Sequence, residues 1–316
     1  MAFSNETKNE LARIIHEMVC CRVAVVGALI RADGVVQLHS GARLSLNMVT
    51  ENPAVARKTF FFLRKLFDIQ PEVMVRKNSR LHKKNTYLVR ISSGEAVRDI
   101  LNRLGMMDGE NRFYYGVKGV LVKKNCCAQA YLRGAFLGGG SVNNPAGKDY
   151  HLEFITDNEE YGRQLYNLLA RFGIKAGTSP KKDKLVIYLK EGDQIIETLN
   201  VMGAHNALLN FENVRVMKGM KNRVNRLVNC ETANLEKTVD AALRQVESIR
   251  LIEATQGLNK LPKALRELAE LRLDYPEASL KELGEMLSPR VGKSGINHRM
   301  RKLDQIAEEI REQRSN

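Results

Sequence analysis

Apolar residues along this chain recur at two periods, every three or four positions in some segments and every second position in others, as helices and strands require. Asn5–Val19 carries Leu11, Ile14, Ile15 and Met18 at helical spacing and predicts an opening helix. Ala24–Gly34, AVVGALIRADG, is an apolar run that closes on a glycine turn. Val35–His39, a turn at Gly41, and Arg43–Thr50 with alternating Leu44, Leu46 and Met48 predict a hairpin. Pro53 suits a first helical turn, and Val55, Phe60, Phe61, Leu63, Leu66 and Phe67 supply the apolar positions of that helix. Glu72–Arg76 and Thr86–Ile91 predict two more strands, and Gly94–Leu104 a helix closed by Gly105.

The same order then returns. Gln129–Ser141, QAYLRGAFLGGGS, is a second apolar run ending in glycines, followed by a turn around Asn143, Asn144, Pro145 and Gly147. A strand at Tyr150–Ile155, a helix at Glu159–Phe172, strands near Ala176–Ser179 and Leu185–Leu189, and a helix at Asp193–Met202 before Gly203 complete it. Local echoes fall in register: Thr50-Glu51-Asn52 with Thr156-Asp157-Asn158, and Leu101-Asn102-Arg103-Leu104-Gly105 with Leu199-Asn200-Val201-Met202-Gly203. Each apolar run is preceded by a vicinal cysteine pair, Cys20–Cys21 and Cys126–Cys127. Residues 20–105 and 126–203 therefore read as an internal α-β-β-α-β-β-α duplication. Gly27, Ala28, Gly134 and Ala135 are small enough for the two apolar helices to cross closely, as the axis of a pseudo-two-fold saddle.

Beyond the repeats, His205–Arg226 predicts a basic connector with Arg215, Lys218, Lys221, Arg223 and Arg226, and no acid after Glu212. Thr232–Thr255 predicts a long helix in which Leu235, Val239, Ala242, Val246 and Ile249 form a coiled-coil-like seam, suiting either a rigid spacer or a dimer contact. Gly257 is placed as its C-cap. Three shorter helices follow: Leu261–Leu273, one opened by the capping box Ser279-Leu280-Lys281-Glu282, and one from Ser294. Leu265, Leu268, Ala269, Leu280, Leu283, Leu287, Ile296, Met300, Leu303, Ile306 and Ile310 are their expected core, with turns at Tyr275-Pro276 and at Pro289 to Gly292. The opposite face of the last helix carries Lys293, Asn297, His298 and Arg301, and its acids begin only at Asp304. A helix-turn-helix has this form, because its last helix offers donors and acceptors to base edges in the major groove. Arginine and asparagine match guanine and adenine there. Ser279, Lys293, Ser294, Asn297, His298, Arg299, Arg301 and Lys302 are the candidate DNA contacts.

Charge points the same way. The formal net charge of +14, from 50 Lys and Arg against 36 Asp and Glu, favours a polyanion as partner. No apolar run approaches the ~20 residues of a spanning helix, and the polar Met1–Glu10 segment is unlike a signal or transit peptide. Vicinal cysteines argue against a secreted disulfide framework. Double-stranded DNA in a cytoplasm is the expected partner, rather than a membrane. The chain has no tryptophan, which weakens a base-stacking, single-strand mode. It has no GxxxxGK[ST] loop, and Gly138-Gly139-Gly140 ends a helix rather than opening one, so no nucleotide cofactor is expected.

The ALIRADG segment with its duplicated partner resembles the LAGLIDADG helices of homing endonucleases, which pack on a pseudo-two-fold axis and each end in a metal-binding acid. Two-metal cleavage needs both carboxylates. The first repeat keeps Asp33, Gly140 is read at the matching place of the second, and Arg31 and Gly138 replace the other acid. No catalytic residue and no metal are therefore expected, and Asp33 reads as a turn residue bonding the following backbone. With the C-terminal helices, the chain resembles the WhiA family of bacterial transcription regulators, on YLRGAFLGGGSVNNP and SLKELGEML…VGKSGINHRMRKL. The resemblance implies an α+β, LAGLIDADG-like saddle over residues 1–220, a linker and long helix over 221–257 and an all-α helix-turn-helix domain over 258–316. It further implies a nucleoid-associated, cytoplasmic regulator of sporulation, or of cell division and chromosome segregation, that reads promoters through the helix-turn-helix and is not an enzyme. The alternatives are an active metal-dependent endonuclease, or a scaffold whose duplicated domain binds a protein or ligand.

Basic clusters mark where a saddle would meet phosphates, in contacts that position without specifying. Val73–Arg90 holds Arg76, Lys77, Arg80, Lys83, Lys84 and Arg90 without an acid, and the corresponding hairpin holds Lys175, Lys181, Lys182 and Lys184. Arg76, Lys77, Arg80, Lys83, Lys84, Lys181 and Lys182, with Lys218, Lys221 and Arg223 of the connector, are the candidate backbone contacts. If the axial helices start together, the four paired cysteines face one another, and four thiolates would make a zinc site. Adjacent cysteines rarely supply two good ligands, however, and burial as small apolar side chains is the expectation.

Overall fold

Small side chains decide the architecture of the N-terminal half. The computed structural model describes residues 3–40, 43–77 and 85–315, in two compact units, Met1–Lys218 and Gly219–Asn316. In the first unit, α1 (Phe3–Arg13) precedes α2 (Val19–Asp33), β1 (Gly34–His39), β2 (Arg43–Thr50), α3 (Pro53–Phe67), β3 (Glu72–Lys77), β4 (Asn85–Ile91) and α4 (Gly94–Arg103). The second repeat is α5 (Asn125–Gly139), β5 (Gly140–Val142), β6 (Leu152–Thr156), α6 (Glu159–Ala170), β7 (Gly177–Lys181), β8 (Lys184–Leu189) and α7 (Gly192–Met202). The sheets are antiparallel in orders β1-β2-β4-β3 and β5-β6-β8-β7, the same topology twice.

Helices α2 and α5 pack side by side through their buried middles, Ala24 to Ile30 and Ala128 to Leu137. At Gly134 a Cβ would stand 2.5 Å from the Val25 carbonyl oxygen and 2.8 Å from the Ala28 Cβ. Only hydrogen fits at that crossing. The sequence echoes are caps. Asn52 accepts from the Ala54 and Val55 amides at 2.9 and 3.1 Å, and Asn158 from the Tyr161 amide at 2.8 Å, opening α3 and α6. Thr50 and Thr156 brace those asparagines by accepting from their backbone N–H groups. Gly105 and Gly203, with φ of +66° and +82°, end α4 and α7 in the conformation that glycine tolerates best.

The structure differs from the expected elements in several places. The opening helix stops at Arg13 rather than Val19. Side-chain cations take the carbonyls that would continue it: Lys58 donates to Ala12 and Ile14, and Arg22 to His16 and Glu17. In α3 the fully buried aromatic ring is Phe62, while Phe61 faces solvent. The second repeat also has a three-residue strand, β5, paired with β6. The connector expected over His205–Arg226 is helical, the first half of α8 (His205–Gln256), a continuous helix of 52 residues. That segment has no proline to break it, and Glu10 caps its start by accepting from the Asn206 and Ala207 amides at 2.7 and 2.9 Å.

The second unit contains α8 from Gly219 onwards, α9 (Lys263–Asp274), α10 (Leu280–Met286) and α11 (Lys293–Ser315). Gly257, φ +79°, closes α8 by donating to the Ile252 and Glu253 carbonyls. Ile249 and Ile252 of α8 join Leu265, Leu268, Leu283, Ile296, Met300 and Leu303 in one core, so four helices contribute where three were expected. The capping box at Ser279 and Glu282 forms as expected, whereas Leu280 is only half-buried. Of the predicted seam, Val246 and Ile249 are buried, but Leu235 and Val239 are 64% and 48% exposed. Among the described residues no helix is long and apolar enough to cross a membrane.

Gly134→Ala tests the crossing. Alanine is the better helix former by ~1 kcal/mol, so a net loss isolates the steric term; overpacking predicts a loss of about 1–3 kcal/mol in urea denaturation. A midpoint equal to or above the parent's would show that the helices do not approach this closely.

Candidate nucleic-acid interface

Helix α11 is held by its apolar side. Ile296, Met300, Leu303, Ala307 and Ile310 are buried. At 100° per residue, Ser294, His298 and Arg301 then stand together on the opposite side, with Asn297 on one flank and Lys302 on the other, while Lys293, the first residue of the helix, falls at the edge of the buried stripe. All are exposed except Asn297, which is half-buried. Arg299 does not belong to this face: it falls beside the buried stripe and is half-buried. Ser279 lies at the start of α10, where its hydroxyl accepts from the Glu282 amide at 3.3 Å and its own amide donates to the Glu282 carboxylate at 2.7 Å. The capping box thus occupies Ser279.

Two residues that fix the turns before α11 and before α10 carry no signal in the sequence. Gly284 is buried, and a Cβ there would lie 2.0 Å from the Val291 carbonyl oxygen, so the α10–α11 turn folds onto bare backbone. The Val291 amide closes it with a 3.0 Å bond to Gly284. Arg272 is buried and donates to the Pro276 and Ala278 carbonyls at 3.3 and 2.6 Å, tying α9 to the turn that follows. A buried arginine among leucines is legible only once its partners are known.

The basic candidates divide. Arg76 and Lys77 end β3 and are exposed, while Arg80, Lys83 and Lys84 lie outside the described residues. Lys181 and Lys182 sit at the β7–β8 turn, both exposed, with Lys182 at φ +56°. That hairpin and β3–β4 hold equivalent places in the two sheets. On α8, Lys221 and Arg223 are exposed, whereas Lys218 donates to the Gly147 carbonyl and lies 5.1 Å over the Tyr150 ring. Arg215 is paired with Asp193.

At the far end of α2, Asp33 is isolated from any second acid at the equivalent place. The axial helices have fifteen residues each and are both followed by a strand-opening glycine. Gly34 pairs with Met48 and Gly140 with Phe154, so Gly140 matches Gly34, Asp33 matches Gly139, and Arg31 matches Leu137. The expected matches to Gly140 and Gly138 are each off by one, a slip that three consecutive glycines permit. A Cβ on Gly139 would lie 2.7 Å from the Ile155 carbonyl oxygen. The second repeat therefore has no room for a side chain where a paired carboxylate would stand. Arg31 instead donates to the Tyr114 and Gly116 carbonyls, at 2.6 and 3.2 Å, and braces the segment between the repeats. Asp33 does not make the expected turn bond; the Gly34 amide goes to Ile30. Burial raises the Asp33 carboxyl to about 6, partly offset by Lys8.

Behind the axis lies a buried cationic cluster that periodicity does not foretell. Arg133, at the α5 position equivalent to Gly27, donates to the Met202 carbonyl at 2.5 Å and contacts His16. Burial, with Arg133 and Lys58 nearby, holds His16 down to about 4, so it is neutral at pH 7. Burial likewise brings Lys58 to about 8. Lys58 and Arg133 hold backbone carbonyls, and His16 packs its ring against the Arg133 guanidinium.

Sequence profiles of three domains match in order: the WhiA N-terminal LAGLIDADG-like domain over residues 19–107, the WhiA LAGLIDADG-like domain over 128–221 and the WhiA C-terminal HTH domain over 224–307. A "probable cell division protein WhiA" from Desulforamulus reducens is 54% identical over 312 residues, covering 98% of this chain and 97% of that protein. Its namesake from Heliobacterium modesticaldum is 53% identical over 308 residues, covering 98% and 96%. The crystal structure of full-length DUF199/WhiA from Thermatoga maritima matches with a TM-score of 0.58 and 25% identity, covering 98% of this chain and 99% of that one.

Asp33 gives a pH prediction. Its carboxyl, raised from 3.8 to about 6, binds a proton on folding between those values, so its contribution to stability worsens as pH rises through that window. His16, lowered from 6.5 to about 4, acts in the opposite sense, so variant and parent must be compared at each pH. Asp33→Asn should raise the urea midpoint at pH 7, with the gain shrinking towards pH 4. A gain independent of pH would contradict the buried carboxylate.

Proposed function

The chain belongs to the WhiA family, and on that premise we propose that it is a sequence-specific, double-stranded-DNA-binding transcriptional regulator. It reads promoters through α11 and acts in cell division and chromosome segregation, or in sporulation, at the nucleoid in the cytoplasm. The supporting observation is the α11 face: Ser294, His298 and Arg301 in line, flanked by Asn297 and Lys302, with Lys293 exposed at the helix start and no acid before Asp304. Donors of this kind in the first turns of a helix suit base edges in the major groove. Arg299 and Ser279 fit this role less well, because one borders the core and the other is engaged in a cap.

In this reading residues 1–220 form the degenerate LAGLIDADG-like domain, 221–257 the linker and long helix, and 258–316 the helix-turn-helix domain. The first domain is not an enzyme: Asp33 has no carboxylate counterpart, and the Ile155 carbonyl closes the place at Gly139. Its hairpins at Arg76 and Lys77 and at Lys181 and Lys182, with Lys221 and Arg223 of α8, hold phosphates in a way that strengthens binding without choosing sequence.

The test uses genomic fragments recovered by cross-linking to the full-length protein, each compared with a scrambled fragment. Arg301→Ala and Asn297→Ala should each cost about 1–3 kcal/mol of preference for the true fragment; unchanged preference would sink the assignment of α11. The Lys181→Ala, Lys182→Ala double variant should weaken binding to both fragments equally and reduce the log–log salt slope by about 0.9 for each phosphate it no longer neutralises. An unchanged slope would remove the hairpin from the interface. Magnesium-dependent nicking of supercoiled plasmid that disappears in Asp33→Asn would overturn the non-enzymatic reading.

A further inference from the structure

The paired cysteines occupy equivalent positions, Cys20–Cys21 in the first turn of α2 and Cys126–Cys127 in the first turn of α5. Because those helices pack side by side, the pairs meet. The Sγ atoms of Cys20, Cys21 and Cys127 all lie within 4.8 Å of one another. Cys126 stands beside Cys127 in the same turn of α5 but outside this group. None of the four is in a disulfide.

Two further observations bear on what the cluster does. Neither helix has a side-chain cap, since Met18 and Lys124 supply none, so two helix N-termini bring uncapped N–H groups to the same thiols. That positive field favours sulfur as thiolate. Burial opposes it: Cys21 and Cys127 lie away from solvent, where an unpaired thiolate is costly. A cation among the sulfurs resolves this conflict, because metal binding exchanges each S–H proton for a metal–sulfur bond and releases the proton to solvent.

We propose that Cys20, Cys21 and Cys127 bind a thiophilic d10 cation of the Zn²⁺ type, with Cys126 or a water as the fourth ligand. On a lone helix, adjacent side chains diverge by about 100° and rarely share an ion. Here the ion lies between two helices, where the sulfurs of both adjacent residues already converge. Zn–S bonds of about 2.3 Å set tetrahedral sulfurs roughly 3.8 Å apart, so the cluster tightens by ~1 Å at most. An all-sulfur donor set selects a soft ion and disfavours magnesium or calcium. Cys21 and Cys127 are buried, as expected for small apolar side chains, but Cys20 is half-buried and Cys126 exposed, which leaves an entry path. The site is at the opposite end of α2 from Asp33, and its ion would pin the starts of the two axial helices together.

The full-length protein, kept reduced and stripped with chelator, tests this with cobalt and zinc alone. One equivalent of Co²⁺ should give the intense visible bands of tetrahedral thiolate coordination, which Zn²⁺ should abolish. Cys20→Ser, at the half-buried position, should weaken binding by at least about tenfold, and Cys230→Ser should leave it unchanged. Zinc should also raise the Tm of the parent more than that of Cys20→Ser. The proposal is overturned if cobalt stays octahedral, if zinc does not co-elute with the reduced protein, or if Cys20→Ser and a folded Cys127→Ala bind as tightly as the parent. Cross-linking of α2 to α5 by disulfides in a protein that takes no metal when reduced would assign the cluster to redox chemistry and overturn it equally.

Discussion

The rest of the first unit depends on how closely α2 and α5 approach. Their contact is made by glycine and alanine against backbone, and a single methyl group at Gly134 would meet the Val25 carbonyl at 2.5 Å. Close packing of this kind gains dispersion energy over many small contacts and tolerates little change in volume. Each helix then delivers its chain directly into the first strand of its own sheet, at Gly34 and Gly140. One contact between two similar helices thus sets the placement of both repeats. At the end of α5 the packing is equally tight against β6, where the Ile155 carbonyl stands in the place a side chain on Gly139 would need.

Much of this is legible in the sequence because it rests on short-range rules. The Thr-x-Asn echoes at Thr50 and Thr156 are N-caps, the glycines at 105 and 203 are C-caps, and the Ser279–Glu282 box forms as its spacing requires. The faces of α9, α10 and α11 follow from helical periodicity. Sequence and structure part where long-range partners decide. Nothing in the segment up to Val19 says that Lys58, 46 and 44 residues beyond Ala12 and Ile14, will hold their carbonyls and end α1 early. The basic run after His205 reads as a connector, yet charges on the solvent side of a helix do not interrupt it.

The candidate site is legible to a similar degree. Ser294, Asn297, His298, Arg301 and Lys302 share a face because periodicity fixes which side of α11 is buried, and Lys293 lies exposed at the edge of that side. Arg299 joins them only by proximity in sequence, and helical geometry separates it. The buried charges Arg133, Lys58 and Arg272 are invisible beforehand, since each is justified only by the backbone carbonyls it satisfies. A buried cation without such partners would be strongly destabilising, so these residues hold the fold in one arrangement while the basic surface is left to α11 and the hairpins. The one-residue slip at Gly138-Gly139-Gly140 shows the limit of alignment through repeated glycines; strand register corrects it.

If α11 reads the bases and the axis does not, the two places must differ in what they touch on DNA. Photo-reactive side chains placed singly at His298 and at Asp33 of the full-length protein, cross-linked to a bound genomic fragment, measure that difference. Position 298 should couple to one defined base step in the major groove, while position 33 should couple to no defined base. A defined base at position 33, with diffuse coupling at 298, would return the reading of DNA to the axis.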